Sequence, residues 1–387
     1  MHRLNHLINT KLSEIINIRH QLHQIPELKF EEIKTSSLIM EMLSSYDIPY
    51  QSGIAKTGVI GIIDSGKPGK TVALRADMDA LPIQEITGLP YQSKHENKMH
   101  ACGHDGHTAS LLLTAYLLQQ MKDQFRGKVK LIFQPAEEGG KGSTLMINEG
   151  VLENPIVDAI FGWHIWPGLL LGNIGTRVGT LLAGNGRFEI TIQGKIAHMS
   201  MPDAAINPVT IGASLITAID RLREKYRDHF SVINIIRFEC GEMKGGMTDF
   251  SKIIGVYFVE NDDLLLKIKA DIRSEIDKAI DSAKADIQIN YHPFHTPTIN
   301  TKKESELVFR TAHEFLLADK IIEFSSIMIA SEDFSEYLTH VPGCFFLIGA
   351  GIDSPKVHTN QFDFPDDVIS NGALLMCQIA MNYLNNK

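Results

Sequence analysis

The sequence is poor in the features that mark secreted, membrane-spanning or dithiol redox proteins. Only four of its 387 residues are cysteine, and no two of them form the Cys-x-x-Cys pair of a redox protein. No apolar run approaches the roughly 18 residues that a membrane helix needs, and the first residues form no apolar export segment. We therefore expect free thiols in a cytoplasmic protein that has no membrane partner.

Positive charge is also scarce in this chain. The formal net charge is −9, which argues against a nucleic-acid partner. Hydrophobic residues make up 44% of the chain and charged residues 21%, a composition that is typical of globular proteins. Because 387 residues exceed the size of one ordinary hydrophobic core, the length predicts two domains.

Strands and helices alternate over the first part of the chain. The helical spacing of apolar residues predicts helices over residues 4–23 and 31–46, and another that begins near Thr108. Strand-like runs occur at 58–63, 71–74, 128–133 and 157–164. A turn at 67–69 joins the first two of these runs. This alternation is typical of an α/β domain.

The pattern changes after Gly179. A β-α-β-β-α-β order follows, which is the split pattern of a ferredoxin-like domain, and the pattern of the first part resumes after Pro297. We predict a mixed-sheet α/β catalytic domain formed by residues 1–179 and 294–387. An inserted ferredoxin-like α+β domain at 180–293 would interrupt it.

Metal-binding side chains recur at predicted strand ends and at one helix start. The segment MHACGHDG (99–106) places a thiol two residues before an imidazole, and an adjacent pair of glutamates, Glu137 and Glu138, follows a strand. Thiolate, imidazole and carboxylate groups bind divalent transition metals. A second carboxylate beside a ligand can serve as a general base. The candidate ligands are Cys102, His104, Glu138, His164 and His358.

Five ligands point to two metal ions. A catalytic zinc takes three protein ligands, whereas five suit two divalent ions that share a bridging thiolate. Zinc suits the thiolate and manganese suits carboxylate and imidazole, so both stay open, with cobalt or nickel as replacements in vitro. Each residue also has an ordinary alternative as a buried thiol, a solvated glutamate or a hydrogen-bonded histidine. His107 is expected to be structural or at the surface, and Asp105 to cap the following helix.

Five motifs, spread over nearly the whole chain, carry a family resemblance. They are RHQLHQIPEL (19–28), RADMDALP (75–82), MHACGHDG (99–106), QPAEEG (134–139) and SEDF (331–334). The chain thereby resembles the binuclear metallohydrolases related to aminoacylase and glutamate carboxypeptidase. More narrowly, it is similar to the branch that contains hippurate hydrolase, auxin-conjugate amidohydrolases and N-acetyldiaminopimelate deacetylase.

The resemblance implies a fold, an activity and several residue roles. It implies a metallopeptidase-type catalytic domain in which Glu137 is the general base, taking a proton from the attacking water and passing it to the leaving amine. The candidate ligands would hold two divalent ions per subunit, and Asp79 would orient a ligand histidine. The implied reaction hydrolyses the amide bond of an N-acyl amino acid, hippurate-like or N-acetylated, to a carboxylate and a free amino acid.

The predicted inserted domain carries a further matching motif. GKIAHMSMP (194–202) resembles the family's GKGGHASMP, which implies that His198 reaches the partner subunit's active site and polarises the scissile carbonyl. That role implies a homodimer formed through this lid domain. The family's asparagine and arginine that bind the substrate's carboxylate are missing from GGMTDFSK (245–252) and GVYFV (255–259). The acyl group and the amino acid of the substrate therefore stay open.

Other functions stay open beside hydrolysis of an N-acyl amino acid. N-acetyldiaminopimelate deacetylation and dipeptide hydrolysis are the alternatives within the same chemistry. A non-catalytic metal-binding or ligand-binding member of the fold is an alternative of a different class. Glu137 argues against that alternative, because a binding module needs no base.

Overall fold

The structure is a computed structural model that describes residues 2–244 and 247–385. The described residues divide into two compact units. Unit 1 contains the described residues up to Leu181, Ile299–Ser325 and the described residues from Asp333 onward, and unit 2 contains Leu182–Thr298 and Ser326–Glu332. Gly245 and Gly246, which begin the GGMTDFSK segment, lie outside the described residues.

Unit 1 is built around an eight-stranded sheet. Strands and helices are numbered in chain order over the whole structure, so the numbers in each unit are not consecutive. The strands of this sheet are β1 (Tyr50–Ile54), β2 (Gly58–Asp64), β3 (Thr71–Asp77), β4 (Lys128–Gln134), β5 (Ala159–Pro167), β6 (Ile174–Thr176), β15 (Ile321–Glu323) and β16 (Gly343–Gly351). The helices of unit 1 are α1 (His2–Gln24), α2 (Ile33–Ser45), α3 (His104–Gln120), α4 (Gly142–Asn148), α7 (Lys302–Ala312), α8 (Phe334–Leu338) and α9 (Asp367–Leu384). The strand order is β1-β2-β4-β3-β5-β16-β6-β15.

The centre of this sheet is parallel. Strand β3 pairs in parallel with β4 and β5, and β5 pairs in parallel with β16, whereas β1 and β2 form an antiparallel edge. Every residue of β3 is buried, as expected for a strand covered on both faces. The carboxyl ends of parallel strands meet at one edge of a sheet. The predicted mixed-sheet α/β class is confirmed, and the segments that follow β3, β4 and β5 lie close together.

Unit 2 has the β-α-β-β-α-β order that the sequence predicts. Its main elements are β8 (Gly184–Gln193), α5 (Pro208–Lys225), β9 (Ser231–Cys240), β12 (Phe250–Val259), α6 (Asp262–Ala283) and β13 (Asp286–His295), with two short paired strands, β10 (Met243–Lys244) and β11 (Met247–Thr248). The four long strands pair antiparallel in the order β13-β8-β12-β9, which is a ferredoxin-like arrangement. The chain first enters unit 2 through β7 (Gly179–Leu182) and leaves it through β14 (Thr298–Asn300), and it returns to unit 2 at Ser326–Glu332.

Asparagine side chains start both long helices of unit 2. Oδ1 of Asn207 accepts a hydrogen bond from the N–H of Val209 at 3.0 Å, and Oδ1 of Asn261 accepts one from the N–H of Leu264 at 2.8 Å. The buried positions of α6 recur every four residues, so one face of the helix packs inward. They are Leu264, Ile268, Ile272 and Ile276. No helix in the described ranges combines the length and apolar character needed to cross a membrane.

Candidate metal centre

The candidate ligands lie where strand ends and a helix start come together. Cys102 and His104 stand at the beginning of α3, and Glu138 follows β4. His164 lies within β5, and His358 lies in the segment between β16 and α9. The backbone of His358 has a φ of +62°. Its N–H donates a hydrogen bond at 2.7 Å to the carbonyl oxygen of Ala101, the residue before Cys102.

Two groups of donor atoms share the Cys102 thiol. Its Sγ lies 3.2 Å from Nε2 of His164 and 3.2 Å from Nε2 of His358. Nε2 of His358 lies 3.0 Å from Oε1 of Glu138. Donor atoms of Cys102, His104 and His164 all lie within 4.8 Å of one another. Those of Cys102, Glu138 and His358 do the same, so the structure brings the five residues into two groups joined by the thiol.

The surroundings of His104 fit a bound cation. Its ring is fully buried, and neither ring nitrogen has a hydrogen-bond partner among the described residues. Nδ1 lies 3.4 Å from Oδ1 of Asp79, and Nε2 lies 4.0 Å from Oε2 of Glu137. Buried polar atoms are normally paired. An imidazole placed in this way among carboxylates and a thiol is suited to ligate a divalent metal.

The cluster is short of positive charge. Burial lowers the pKa of His104, but the carboxylates of Asp77, Asp79 and Glu138 together outweigh this effect, and the pKa is raised to about 10. Burial and the carboxylates of Glu138 and Glu137 raise the pKa of the Cys102 thiol well above its usual value. A divalent cation at this place would supply the missing charge and stabilise the thiolate.

Asp79 holds the backbone of the glutamate pair. Its Oδ1 accepts a hydrogen bond from the N–H of Glu137 at 3.0 Å, and its Oδ2 accepts one from the N–H of Glu138 at 2.9 Å. From the sequence, Asp79 is expected only to orient a ligand histidine. The structure places it beside His104 and also makes it the anchor of the turn that carries Glu137.

His107 connects α3 to Asp77 at the end of β3 and to Ile165 in β5. Nδ1 of His107 donates to Oδ1 of Asp77 at 2.7 Å, and its Nε2 accepts from the N–H of Ile165 at 2.9 Å. Nδ1 of His164 donates to the carbonyl oxygen of Ile165 at 2.6 Å, which leaves Nε2 facing Cys102. These contacts select the tautomer of His164 that a metal ligand needs. His107 is buried, and its ring links the two ligand-bearing elements.

The RHQLHQIPEL motif supplies a buried arginine and a buried histidine that pair with Asp105, the residue after the candidate ligand His104. The guanidinium of Arg19 donates to Oδ2 of Asp105 at 2.8 Å, to Oδ1 of Asp366 at 3.1 Å and to Asp363. His23 is bound to the same oxygen of Asp105 at 2.9 Å. Helix α1 is thereby tied to the start of α3 and to the segment that leads into α9.

Helix α3 begins earlier than the sequence predicts. It starts at His104 rather than near Thr108, directly after Gly103, whose φ of +87° is in the left-handed region that favours glycine. Asp105 therefore lies inside the first turn and makes no side-chain cap bond there. The expected capping role is wrong, because the carboxylate pairs with α1 instead.

His198 lies in unit 2 and is exposed. Its Nδ1 accepts a hydrogen bond from the N–H of Ser200 at 3.3 Å and lies 2.7 Å from the Ser200 hydroxyl oxygen. Because a backbone N–H can only donate, the neutral ring carries its proton on Nε2. The Nε2–H group is the kind of donor that stabilises an oxyanion.

The fold and the cluster together define a class of protein. The ends of the strands in a mixed α/β sheet bring together a thiol, imidazoles and adjacent carboxylates. This arrangement is typical of metal-binding hydrolases of the amidohydrolase and metallopeptidase class. The chain belongs to Peptidase family M20/M25/M40, whose sequence pattern matches residues 73–382. The resemblance inferred from the motifs is thereby confirmed.

Known proteins match this chain over nearly its whole length. N-acetyl-L-cysteine deacetylase of Bacillus subtilis (strain 168) is 33% identical over 384 residues, which cover 98% of this chain and 90% of that protein. Hippurate hydrolase of Campylobacter jejuni is 34% identical over 377 residues, which cover 96% and 97%. The solved structure of the Bacillus subtilis YXEP protein, described as a dinuclear metal binding peptidase from the M20 family, matches with a TM-score of 0.86 at 30% identity and covers 97% of this chain and 99% of that chain.

Proposed function

We propose that the protein is a cytoplasmic, metal-dependent amidohydrolase that cleaves the amide bond of an N-acyl amino acid to a carboxylate and a free amino acid. The observation that carries the proposal is the pair of donor groups that share the Cys102 thiol beside Glu137. Two divalent ions, zinc or manganese, would be held by Cys102, His104, Glu138, His164 and His358. When bound, such ions supply Lewis acidity toward the amide carbonyl and lower the pKa of the attacking water.

Glu137 is the residue that moves the proton. Its side chain is nearly buried, and its backbone is held by Asp79. The carboxylate takes a proton from water as the water oxygen bonds to the carbonyl carbon. It gives that proton to the nitrogen as the C–N bond breaks, so the amine leaves neutral.

His198 is the proposed oxyanion donor, and it would come from a second copy of the chain. Three observations support this role: the match of its motif to the family, its exposure, and the Nε2–H tautomer that Ser200 selects. The role requires a homodimer formed through unit 2. In that dimer the Nε2–H group would donate to the carbonyl oxygen as it gains negative charge.

The proposed substrates are hippurate-like or N-acetylated amino acids. The names of two relatives support this choice, since one is a hippurate hydrolase and the other an N-acetyl-L-cysteine deacetylase. The missing asparagine and arginine imply that the substrate's carboxylate is bound differently here than in the family pattern. N-acetyldiaminopimelate and dipeptides therefore belong among the compounds tested.

The experiment is a hydrolysis panel with metal-replete protein and release of primary amine as the readout. It covers acetyl and benzoyl groups on neutral, basic and acidic amino acids, together with N-acetyldiaminopimelate and dipeptides. We expect turnover of at least one N-acyl amino acid, its loss on adding a chelator and its return with zinc or manganese. Metal bound at the centre with no turnover across the panel would favour the non-catalytic, ligand-binding alternative.

A further inference from the structure

The turn that carries Glu137 and Glu138 is held through consecutive backbone N–H groups. Asp79 accepts the hydrogen bonds of the last two. The N–H of the preceding residue, Ala136, donates to Oε1 of Glu32 at 3.0 Å. Ala136 has a φ of +56°, a left-handed conformation that is unfavourable for a residue with a Cβ atom. The hydrogen bond to Glu32 therefore acts on the strained residue that sets the direction of the turn.

Glu32 is built into the protein as an acceptor. It lies just before α2 and is fully buried. Its other carboxylate oxygen, Oε2, accepts a hydrogen bond from the hydroxyl of Thr57 at 2.5 Å. Burial of a carboxylate is costly unless its oxygens are hydrogen-bonded, and here both oxygens are engaged.

The carbonyl side of Ala136 is fixed as well. Its oxygen accepts hydrogen bonds from the N–H groups of Gly140 at 3.1 Å and Gly142 at 3.2 Å. A Cβ atom at Gly142 would overlap the carbonyl oxygen of Pro135, so the turn closes tightly around the peptide group that joins Pro135 to Ala136. Because the Ala136 carbonyl is bound within its own turn, the Ala136 N–H is the group through which a distant part of the chain can fix the conformation of Ala136.

We propose that Glu32 is a positioning residue for the reaction: by accepting the Ala136 N–H, it holds Ala136 in the left-handed conformation that lets Asp79 bind the next two N–H groups. This inference rests on the proposed function, in which Glu137 is the base and Glu138 a metal ligand. Glu32 touches neither the substrate nor the metal in this account. It acts through Ala136 on the direction of both glutamate side chains.

The test compares Glu32→Gln, Glu32→Leu and the double variant Glu32→Leu with Ala136→Gly. Glutamine keeps an oxygen for the Ala136 N–H and turns its amide toward Thr57, whose hydroxyl can accept, so near-wild-type kcat is expected. Leucine removes the acceptor, and kcat should fall about 10- to 100-fold, the usual loss for a residue that orients a metal ligand or base, with KM little changed. Glycine at position 136 should restore much of that loss, because glycine adopts a positive φ without strain.

Rescue by glycine separates positioning from a merely stabilising role. If Glu32→Leu with Ala136→Gly is no more active than Glu32→Leu alone, or if Glu32→Gln is as impaired as Glu32→Leu, the proposed role is overturned. The metal content of each variant is measured in parallel, and it should follow the same order as kcat.

Hydrogen exchange at the Ala136 amide tests the inference without any substrate. In the wild-type protein and in Glu32→Gln we expect strong protection of this amide, and in Glu32→Leu a clear loss of protection. Rapid exchange in the wild-type protein would overturn the proposal even if Glu32→Leu does not fold. Because this readout needs no turnover, a silent substrate panel would count against the proposed function and leave the test of Glu32 intact.

Discussion

Oδ1 of Asp79 accepts a hydrogen bond from the backbone N–H of Glu137 at 3.0 Å. The proposed general base, which follows β4, is therefore held by a carboxylate that follows β3. The other oxygen of the same carboxylate accepts the N–H of Glu138. One buried side chain after β3 thus sets the backbone of both glutamates after β4. The proposed base and the proposed ligand therefore cannot move independently of each other.

Replacing Asp79 with asparagine should disturb both glutamates. One oxygen becomes an amide NH₂, which cannot accept a hydrogen bond, so one of the two backbone N–H groups loses its partner. We expect kcat to fall about 10- to 100-fold, with weaker metal binding. Steady-state kinetics and metal titration measure both effects. Asp123→Asn, at an exposed position in the same unit, is the control and should change neither quantity.

Replacing Arg19 with leucine should destabilise the protein strongly. Arg19 is the cation shared by Asp105, Asp363 and Asp366, and its removal leaves the buried Asp105 carboxylate with His23 in place of two cationic partners. The expected loss in the free energy of unfolding is about 3–5 kcal/mol, measured by urea unfolding at one fixed metal concentration. Arg3→Leu, on the exposed face of the same helix, should cost far less. Equal losses in the two variants would contradict the ion-pair account.

His23 should make the stability of the protein depend on pH. Burial lowers its pKa, but the Asp105 carboxylate and the hydrogen bonds to Asp105 and Glu85 outweigh this, and the pKa is raised from 6.5 to about 9. A raised pKa means that the folded state holds the proton more tightly. The stabilisation is therefore complete below about pH 6.5 and is lost as the pH rises through 9, with a total of about 3 kcal/mol.

The measurement compares the free energy of unfolding of wild type and His23→Phe from pH 6 to pH 10. The advantage of the wild-type protein should shrink across that range. His6→Phe, at an exposed position of the same helix, serves as the control for placing a phenylalanine in α1 and is measured over the same pH range. A wild-type advantage that grows with pH would show that His23 is not held in its charged form.

Gly106 should be intolerant of alanine because of one neighbouring ring. A Cβ atom at this position would overlap the ring of Phe364, so Gly106→Ala should cost about 1–3 kcal/mol of unfolding free energy as an overpacked contact. Phe364→Leu removes part of the ring. The double variant should then be more stable than the sum of the two single losses implies. Strictly additive losses would place the origin of the Gly106 effect elsewhere.

Much of the fold could be predicted because it is encoded locally. The apolar spacing of residues 4–23 predicted α1, and the order of elements after Gly179 predicted the ferredoxin-like topology of unit 2. The strand order of unit 1 could not be predicted in this way. Strands β2 and β3 are joined by a turn, yet β4 lies between them in the sheet, because pairing depends on contacts between segments that are distant in the chain.

The same distinction applies to the site. Spacing singled out Cys102 and His104, since a thiol and an imidazole so close together are a recognisable metal-binding pattern. Glu32 gave no such signal, because a glutamate at the start of a helix is ordinarily a surface residue. Its partner Ala136 is 104 residues away in the sequence, and only the folded chain reveals the contact.

The role of Glu137 as the base is tested by the turnover of Glu137→Gln on the N-acyl amino acid that the wild-type protein hydrolyses best, with the metal content of the variant measured in parallel. Glutamine has the size of glutamate but cannot take the proton from water. We expect the variant to bind as much metal as the wild-type protein while kcat falls by a factor of about 10² to 10⁴. A variant that binds the metal and still turns over this substrate at the wild-type rate would contradict the assignment of Glu137 as the base.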